Sequence, residues 1–287
     1  MTTQPQKIVA LVDGSIYSAS VCDHAAWISQ RTDAPVELIH VLGRREVPGT
    51  QDRSGTITLG ARTALLEELA ELDAQRARLI SHRGRAILED ARTILDRAGV
   101  PEITTRLRHG DIVEAVAEVE GDARVIMIGK RGEAADFAKG HLGSNLERIV
   151  RASHKPVFVA SRAFRPISKV LVAYDGGASA MKAVDHFARS SLFQGLAVHV
   201  VTVGSATPEV TKGLEDARAM LRAAGIEADS SILPGQPETA LGKLVDEAQF
   251  DMLVMGAYGH SRIRSLIIGS TTTAMIRSCK VPVVLMR

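Results

Sequence analysis

The chain is predicted to be an α/β protein of two tandem open-twisted domains, each a five-stranded parallel sheet with helices on both faces. Three observations carry this. Apolar runs end in Asp-Gly or Gly turns, helical periodicity fills the segments between them, and the whole pattern returns in the second half of the 287 residues.

Taken in order, the first strand of each half is Ile8-Val9-Ala10-Leu11-Val12-Asp13-Gly14-Ser15 and Val170-Leu171-Val172-Ala173-Tyr174-Asp175-Gly176-Gly177. A continuous apolar run closed by turn residues suits a strand buried on both faces of a parallel sheet. The first helix follows, with Ala180, Val184, Phe187 and Ala188 on one stripe in the second copy. Leu38-Ile39-His40-Val41 pairs with Val200-Val201-Thr202-Val203 as the second strand. His109-Gly110-Asp111-Ile112 matches Pro234-Gly235-Gln236-Pro237, a turn that opens a helix. The fourth strands are Val125-Ile126-Met127-Ile128-Gly129 and Met252-Leu253-Val254-Met255-Gly256. Last, Gly143-Ser144 and Gly269-Ser270 are each followed, thirteen residues after the glycine, by Pro156 and Pro282 and a β-rich run. Strands alternating with helices imply right-handed crossovers and a parallel sheet. The seam falls at Ala163-Phe164-Arg165-Pro166, which sets domains of 1–163 and 167–287.

The halves differ by an insertion of roughly 35 residues between the second and third strands of the first half. It contains a polar loop around Gly49–Gly55 and a helical stretch from Leu59 to Ala98 with Leu65, Leu66, Leu69 and Leu72 on one stripe. Its middle carries Arg76, Arg78, Arg83 and Arg85. Without interleaved aromatics, such a run reads as a solvated helix face rather than an anion-binding one.

Composition narrows the partners. Lys and Arg number 35 against 33 Asp and Glu, so there is no global field for nucleic acid or an anionic membrane, and neither is expected as a partner. No apolar run approaches the roughly 18 residues that span a bilayer. Cys22 and Cys279 lie far apart and in no metal-binding pair, which fits a reducing, cytoplasmic setting.

The residues that carry chemistry gather in the second half. Gly256-Ala257-Tyr258-Gly259 is followed by nine residues and then Gly269-Ser270-Thr271. Gly256 ends a strand, Gly259 permits a turn, Gly269 allows close approach, and Ser270 and Thr271 head a helix. Free N–H groups and the positive end of the helix dipole there favour a phosphate. Arg262 and Arg264 lie on the intervening loop. Asp175 ends the first strand, where open α/β sheets bind ligands, and its carboxylate could hold ribose hydroxyls or a divalent cation. Singly, Asp175-Gly176 would serve as a turn and Gly269-Ser270 as a helix start; on one sheet edge they read as a nucleotide site.

The pattern G-x2-G-x9-G-[S/T] after a fourth strand, with Asp at the end of the first, resembles the ATP-binding branch of the universal stress protein family. The resemblance covers essentially the whole chain as two copies. It implies a Rossmann-like, adenine nucleotide alpha hydrolase-like domain with strand order 3-2-1-4-5, binding ATP, AMP or ADP, with Mg2+ as a possible companion held by Asp175. Asp175 would contact ribose or metal, with Gly176 a further binding residue, Val203 would lie beside the adenine by its backbone, Gly256, Gly259 and Gly269 would shape the loop, and Ser270 and Thr271 would bind phosphate. Pairing through fifth strands, Val157-Phe158-Val159 with Val283-Val284-Leu285, would join the halves into a pseudo-dimer, with further homodimerisation open.

The first half departs from the pattern. Gly129-Lys130-Arg131-Gly132 is followed by ten residues before Gly143-Ser144-Asn145. One extra residue adds up to about 3.3–3.6 Å of chain. Asp13 and Val41 occupy the matching strand ends, and Lys130 and Arg131 add positive charge, so either an anionic ligand or a loop that only packs is compatible with these residues.

Catalytic chemistry is not in evidence. The sequence holds no G-x-x-x-x-G-K-[ST], no G-x-G-x-x-G after a strand and no G-x-S-x-G elbow. H-I-G-H and S-G-G-x-D-S are missing too. His141 and His260 lie on the glycine loops without an evident carboxylate partner. The expected function is a stress-response ATP- or AMP-binding regulatory module acting on unidentified protein partners. The alternatives are a weak ATPase, an adenylyl-transfer enzyme, or a structural scaffold with vestigial pockets.

Overall fold

The computed structural model describes residues 6–43, 59–132, 144–256 and 269–286. In the first half, β1 (Lys7–Leu11), β2 (Val36–Gly43), β3 (Ile103–Gly110), β4 (Ala123–Gly129) and β5 (Val157–Ala160) alternate with α1 (Ser18–Thr32), α2 (Leu59–Arg97), α3 (Ile112–Ala117) and α4 (Ser144–Ala152). In the second, β6 (Lys169–Ala173), β7 (Ala197–Val203), β8 (Ala228–Leu233), β9 (Met252–Gly256) and β10 (Val283–Met286) alternate with α5 (Ala178–Arg189), α6 (Pro208–Ala223), α7 (Pro237–Glu247) and α8 (Ser270–Ser278).

The two five-stranded sheets expected from the sequence join through their fifth strands, as the resemblance implied. The strands form one ten-stranded sheet in the order β3-β2-β1-β4-β5-β10-β9-β6-β7-β8. Read from its two outer ends, each half runs 3-2-1-4-5. The halves meet antiparallel where Val283 faces Val159, Val284 faces Phe158 and Leu285 faces Val157. That pairing satisfies the backbone groups that two open edges would expose to other chains.

Alternation along the apolar strands sorts side chains between two layers, since successive residues point to opposite faces. Ile8, Ala10, Val170 and Val172 enter one core with α1, α2, α5 and α6, while Val9, Leu11 and Leu171 enter the other with α3, α4, α7 and α8. Each core contains residues of both halves. The side chain of Arg31 also crosses the seam, donating from Nε to the Leu192 carbonyl at 2.7 Å.

In α2 the helix packs only from about Gly84 onward. Leu88, Ala91 and Leu95 are buried. A Cβ at Gly84 would lie 2.7 Å from Leu107 Cδ1 and 3.0 Å from His40 Cδ2, so glycine permits the close crossing of β2 and β3. Arg76, Arg78, Arg83 and Arg85 are exposed. Both cysteines are buried, and desolvation pushes the Cys22 thiol up to about 12, as suits a small core residue.

Candidate functional site

The strand order reverses direction beside β6, which pairs with β7 on one side and β9 on the other. Chains leaving β6 and β9 turn to helices on opposite faces, so a crevice opens at the carboxyl edge between them. Register brings the candidate residues to that edge. Ala173 is level with both Val201 and Met255. Asp175 and Val203 each lie two residues beyond that level, and Gly256 one.

Asp175 is held by a local turn. Its Oδ1 accepts from Gly177 N at 2.9 Å, and Gly176 sits at φ +76°, a conformation that favours glycine. The preceding residue is anchored twice: Tyr174 N donates to the Val201 carbonyl at 2.8 Å, and Thr202 Oγ1 donates to the Tyr174 carbonyl at 2.7 Å. Burial, followed by the charges of Asp216 and Asp175, raises the Tyr174 phenol. Asp175 itself is exposed, and Val203 is half-buried against the core of that face.

The same scaffold is built in the first half. Ser15 N donates to Asp13 Oδ1 at 3.0 Å, Gly14 has φ +78°, and Val12 N donates to the Ile39 carbonyl at 3.0 Å. His40 Nδ1 lies 2.7 Å from the Val12 carbonyl, in the place of Thr202. His40 and Thr202 were not singled out from sequence as site residues. The signal was present, since each is the polar residue within the repeated apolar run of a second strand.

At the other wall of the second crevice, α8 begins at Ser270 behind its N-cap Gly269, which has no side chain to make a cap bond. Thr273 N makes the first helical bond, to the Gly269 carbonyl at 2.9 Å. Ser270 is exposed and Thr271 half-buried. Gly269 has φ −58° and ψ 146°, open to any residue, and a Cβ there would meet only Thr272 Oγ1, at 3.6 Å. Nothing in the described fold therefore requires glycine at this position. Gly259, Arg262, Arg264 and His260 lie outside the described residues.

The first crevice differs in what its glycines touch. A Cβ at Gly129 would lie 2.6 Å from Tyr17 Cβ, and one at Gly132 would lie 2.8 Å from Asp13 Oδ2. Gly129 is needed by the packing of the chain on itself, whereas at Gly132 the near atom is the tip of the Asp13 carboxylate, which rests on the loop. Ser18 Oγ adds a further hold, 3.2 Å from Asp13 Oδ1. Val41 is half-buried beside β3, and Asn145 is exposed on the first turn of α4. Ser144 begins that helix, while Gly143 and His141 lie outside the described residues.

One sequence expectation is corrected here. Lys130 was expected to add positive charge to an anion site, but its Nζ donates to the carbonyl of Cys279 at the end of α8 in the other half. Desolvation there lowers its pKa. Among the described residues no cluster of three His, Cys, Asp or Glu could hold a metal, and no helix is long and apolar enough to cross a membrane.

The comparisons with known proteins agree with this architecture. A family model described as the universal stress protein family matches residues 5–161 and again 166–287. The chain is 36% identical to Universal stress protein Slr1230 of Synechocystis over 286 residues, covering 98% of this chain and 100% of that one. It is 24% identical to Universal stress protein Rv1996 of Mycobacterium tuberculosis, covering 98% of this chain and 94% of the relative. A solved universal stress protein from Archaeoglobus fulgidus shares the fold with a TM-score of 0.72 at 20% identity, with 98% of both chains covered. Two successive matches to one family over nearly the whole chain, on a sheet built twice from the same turns, mean that this protein belongs to the universal stress protein family, with two copies of its domain in tandem.

Proposed function

We propose that the second half binds an adenine nucleotide and that the protein acts as a nucleotide-dependent regulatory module. The phosphates lie on the N-terminus of α8, with Ser270 and Thr271 donating, and the ribose lies at Asp175 with the base beside Val203. The observation that carries this reading is the open space at Gly269. Among the described residues only Thr272 Oγ1 comes near a Cβ placed there, so close approach of a ligand is a physical use for glycine at the head of this helix. A single carboxylate, Asp175, fits Mg2+ only as a companion of the phosphates, since such ions keep most of their ligands as water and phosphate oxygen.

The first half binds nucleotide more weakly or not at all in this reading, because Asp13 rests against Gly132 and Lys130 is engaged elsewhere. The proposed working units are residues 1–163 and 167–287. Regulation requires two states with different nucleotide affinity. Its partners are proteins.

Gly269→Glu tests the proposal cleanly, because its backbone angles suit any residue and the variant should fold. Titration calorimetry with ATP should show affinity falling by at least about a hundredfold. Asp13→Ala should leave the main affinity unchanged, whereas Asp175→Ala should reduce it. Equal ATP binding by wild type and Gly269→Glu would discard the site. Sustained turnover of ATP, lost in that variant, would convert the module into an enzyme.

A further inference from the structure

We propose that the N-terminal part of α2 is a self-association surface, on which a second copy of this chain docks antiparallel. Between Leu65 and Gly84 the helix covers roughly 28 Å at 1.5 Å per residue. Gly84 touches Leu42 and Leu107 near the carboxyl ends of β2 and β3, so what precedes it projects past that edge of the sheet. Most of the side chains from Leu65 to Leu79 are exposed.

The projecting segment has an apolar seam. Leu65, Leu72 and Leu79 recur every seven residues and are 40%, 54% and 72% exposed, and Leu66 is 48% exposed. Among the described residues these are four of the five exposed large hydrophobic side chains. A seven-residue leucine repeat on one helix presents a stripe that a second helix can cover. At about 25 cal/mol per Å2 of apolar surface removed from water, leaving such a stripe in solvent forfeits a substantial driving force.

Charge selects the occupant. Glu67, Glu68, Glu71 and Asp73 come first, followed by Arg76, Arg78, Arg83 and Arg85. Among the described residues Glu67, Glu68, Arg76 and Arg78 have no ion-pair partner. A two-fold axis crossing the helix near residues 74–75 lays the acidic block of one copy on the basic block of the other, at both ends at once. Parallel pairing would set like charges together. A nucleic acid or anionic bilayer would be repelled by the acidic block, so the pattern is complementary to itself. That is the signature of an isologous contact, in which one patch meets its own copy.

The test uses the full chain in sedimentation velocity. Wild type is expected to give twice the chain mass at high concentration and to dissociate on dilution. Leu72→Glu combined with Leu79→Glu should give a monomer with unchanged circular dichroism, because both side chains lie outside the core. Glu68→Lys with Glu71→Lys reverses two charges of the acidic block, and Arg76→Glu with Arg78→Glu reverses two of the basic block. Each variant alone should dimerise at least about tenfold more weakly than wild type. Mixed in equal amounts, the two should recover a heterodimer. A wild type that stays monomeric, a dimer that survives the leucine substitutions, or a mixture that fails to recover association would overturn the proposal. Binding of monomeric wild type to anionic phosphatidylserine vesicles, lost with the leucine substitutions, would overturn it in favour of a lipid surface.

Discussion

His24 on α1 is fully buried, with its ring 5.1 Å from that of Phe158 on β5 and 5.0 Å from that of Phe164 in the connection between the halves. Its Nδ1 lies 2.6 Å from the Ser20 carbonyl, and its Nε2 is buried without a hydrogen-bond partner among the described residues. Desolvation lowers its pKa from 6.5 to about 4, partly opposed by the bond to Ser20. The unfolded chain therefore binds this proton more readily than the folded one. Unfolding takes up a proton between about pH 6.5 and 4, so stability falls as the pH drops through that window and levels off below it. His24→Leu should flatten the dependence: the loss of unfolding free energy between neutral pH and pH 4, read from urea titrations, should shrink by about 3 kcal/mol. An unchanged pH profile would mean that the ring is hydrated in solution. Asp13 and Asp175 make the complementary point at this scale. They share one turn chemistry, yet Asp175 is exposed whereas Asp13 is half-buried against a glycine loop, so the same Asp-Gly pair serves two different surroundings.

Two elements connect local geometry to function. Helix α8 starts at the proposed phosphate end of the second crevice and finishes at Cys279, whose carbonyl accepts from Lys130 of the first half. A cation at a helix C-terminus is favoured by the dipole, and a charged hydrogen bond contributes about 1.5–3 kcal/mol. Lys130→Met keeps the stem and removes the donor, and should lower the unfolding free energy by about 1–2 kcal/mol in urea titrations. No change would show that water replaces the contact without loss. Helix α2 is the other such element. Gly84 divides it into a packed part and a projecting part, and the self-association proposed above belongs wholly to the latter.

At the scale of the whole molecule, the antiparallel β5–β10 contact and the two cores that each span both halves make one unfolding unit out of a duplicated chain. Multidomain chains commonly unfold in stages, but stages require cores that can separate. Trp27, the one tryptophan of the sequence, lies on α1 in the first half, so its fluorescence reports that half while far-ultraviolet circular dichroism reports both. The two signals should follow a single coincident transition in guanidinium chloride. A first-half transition that precedes the loss of half the helical signal would mean that the seam is weaker than its burial implies.

By itself the sequence determined the repeat, the α/β class and the strand ends that bear Asp13 and Asp175; the family resemblance added the joining of the halves through their fifth strands. The first three follow from apolar runs, turn residues and spacing, all of which act over a few residues. Only the tertiary structure decided the antiparallel register that sets Val283 against Val159, that His40 and Thr202 brace the turns, that Lys130 reaches Cys279, and that His24 is enclosed at the seam. It also separated Gly269, which the described fold does not need, from Gly129, which it does. Contacts of this second kind join residues far apart in the chain. They depend on strand register and on distances between layers, which local periodicity does not encode.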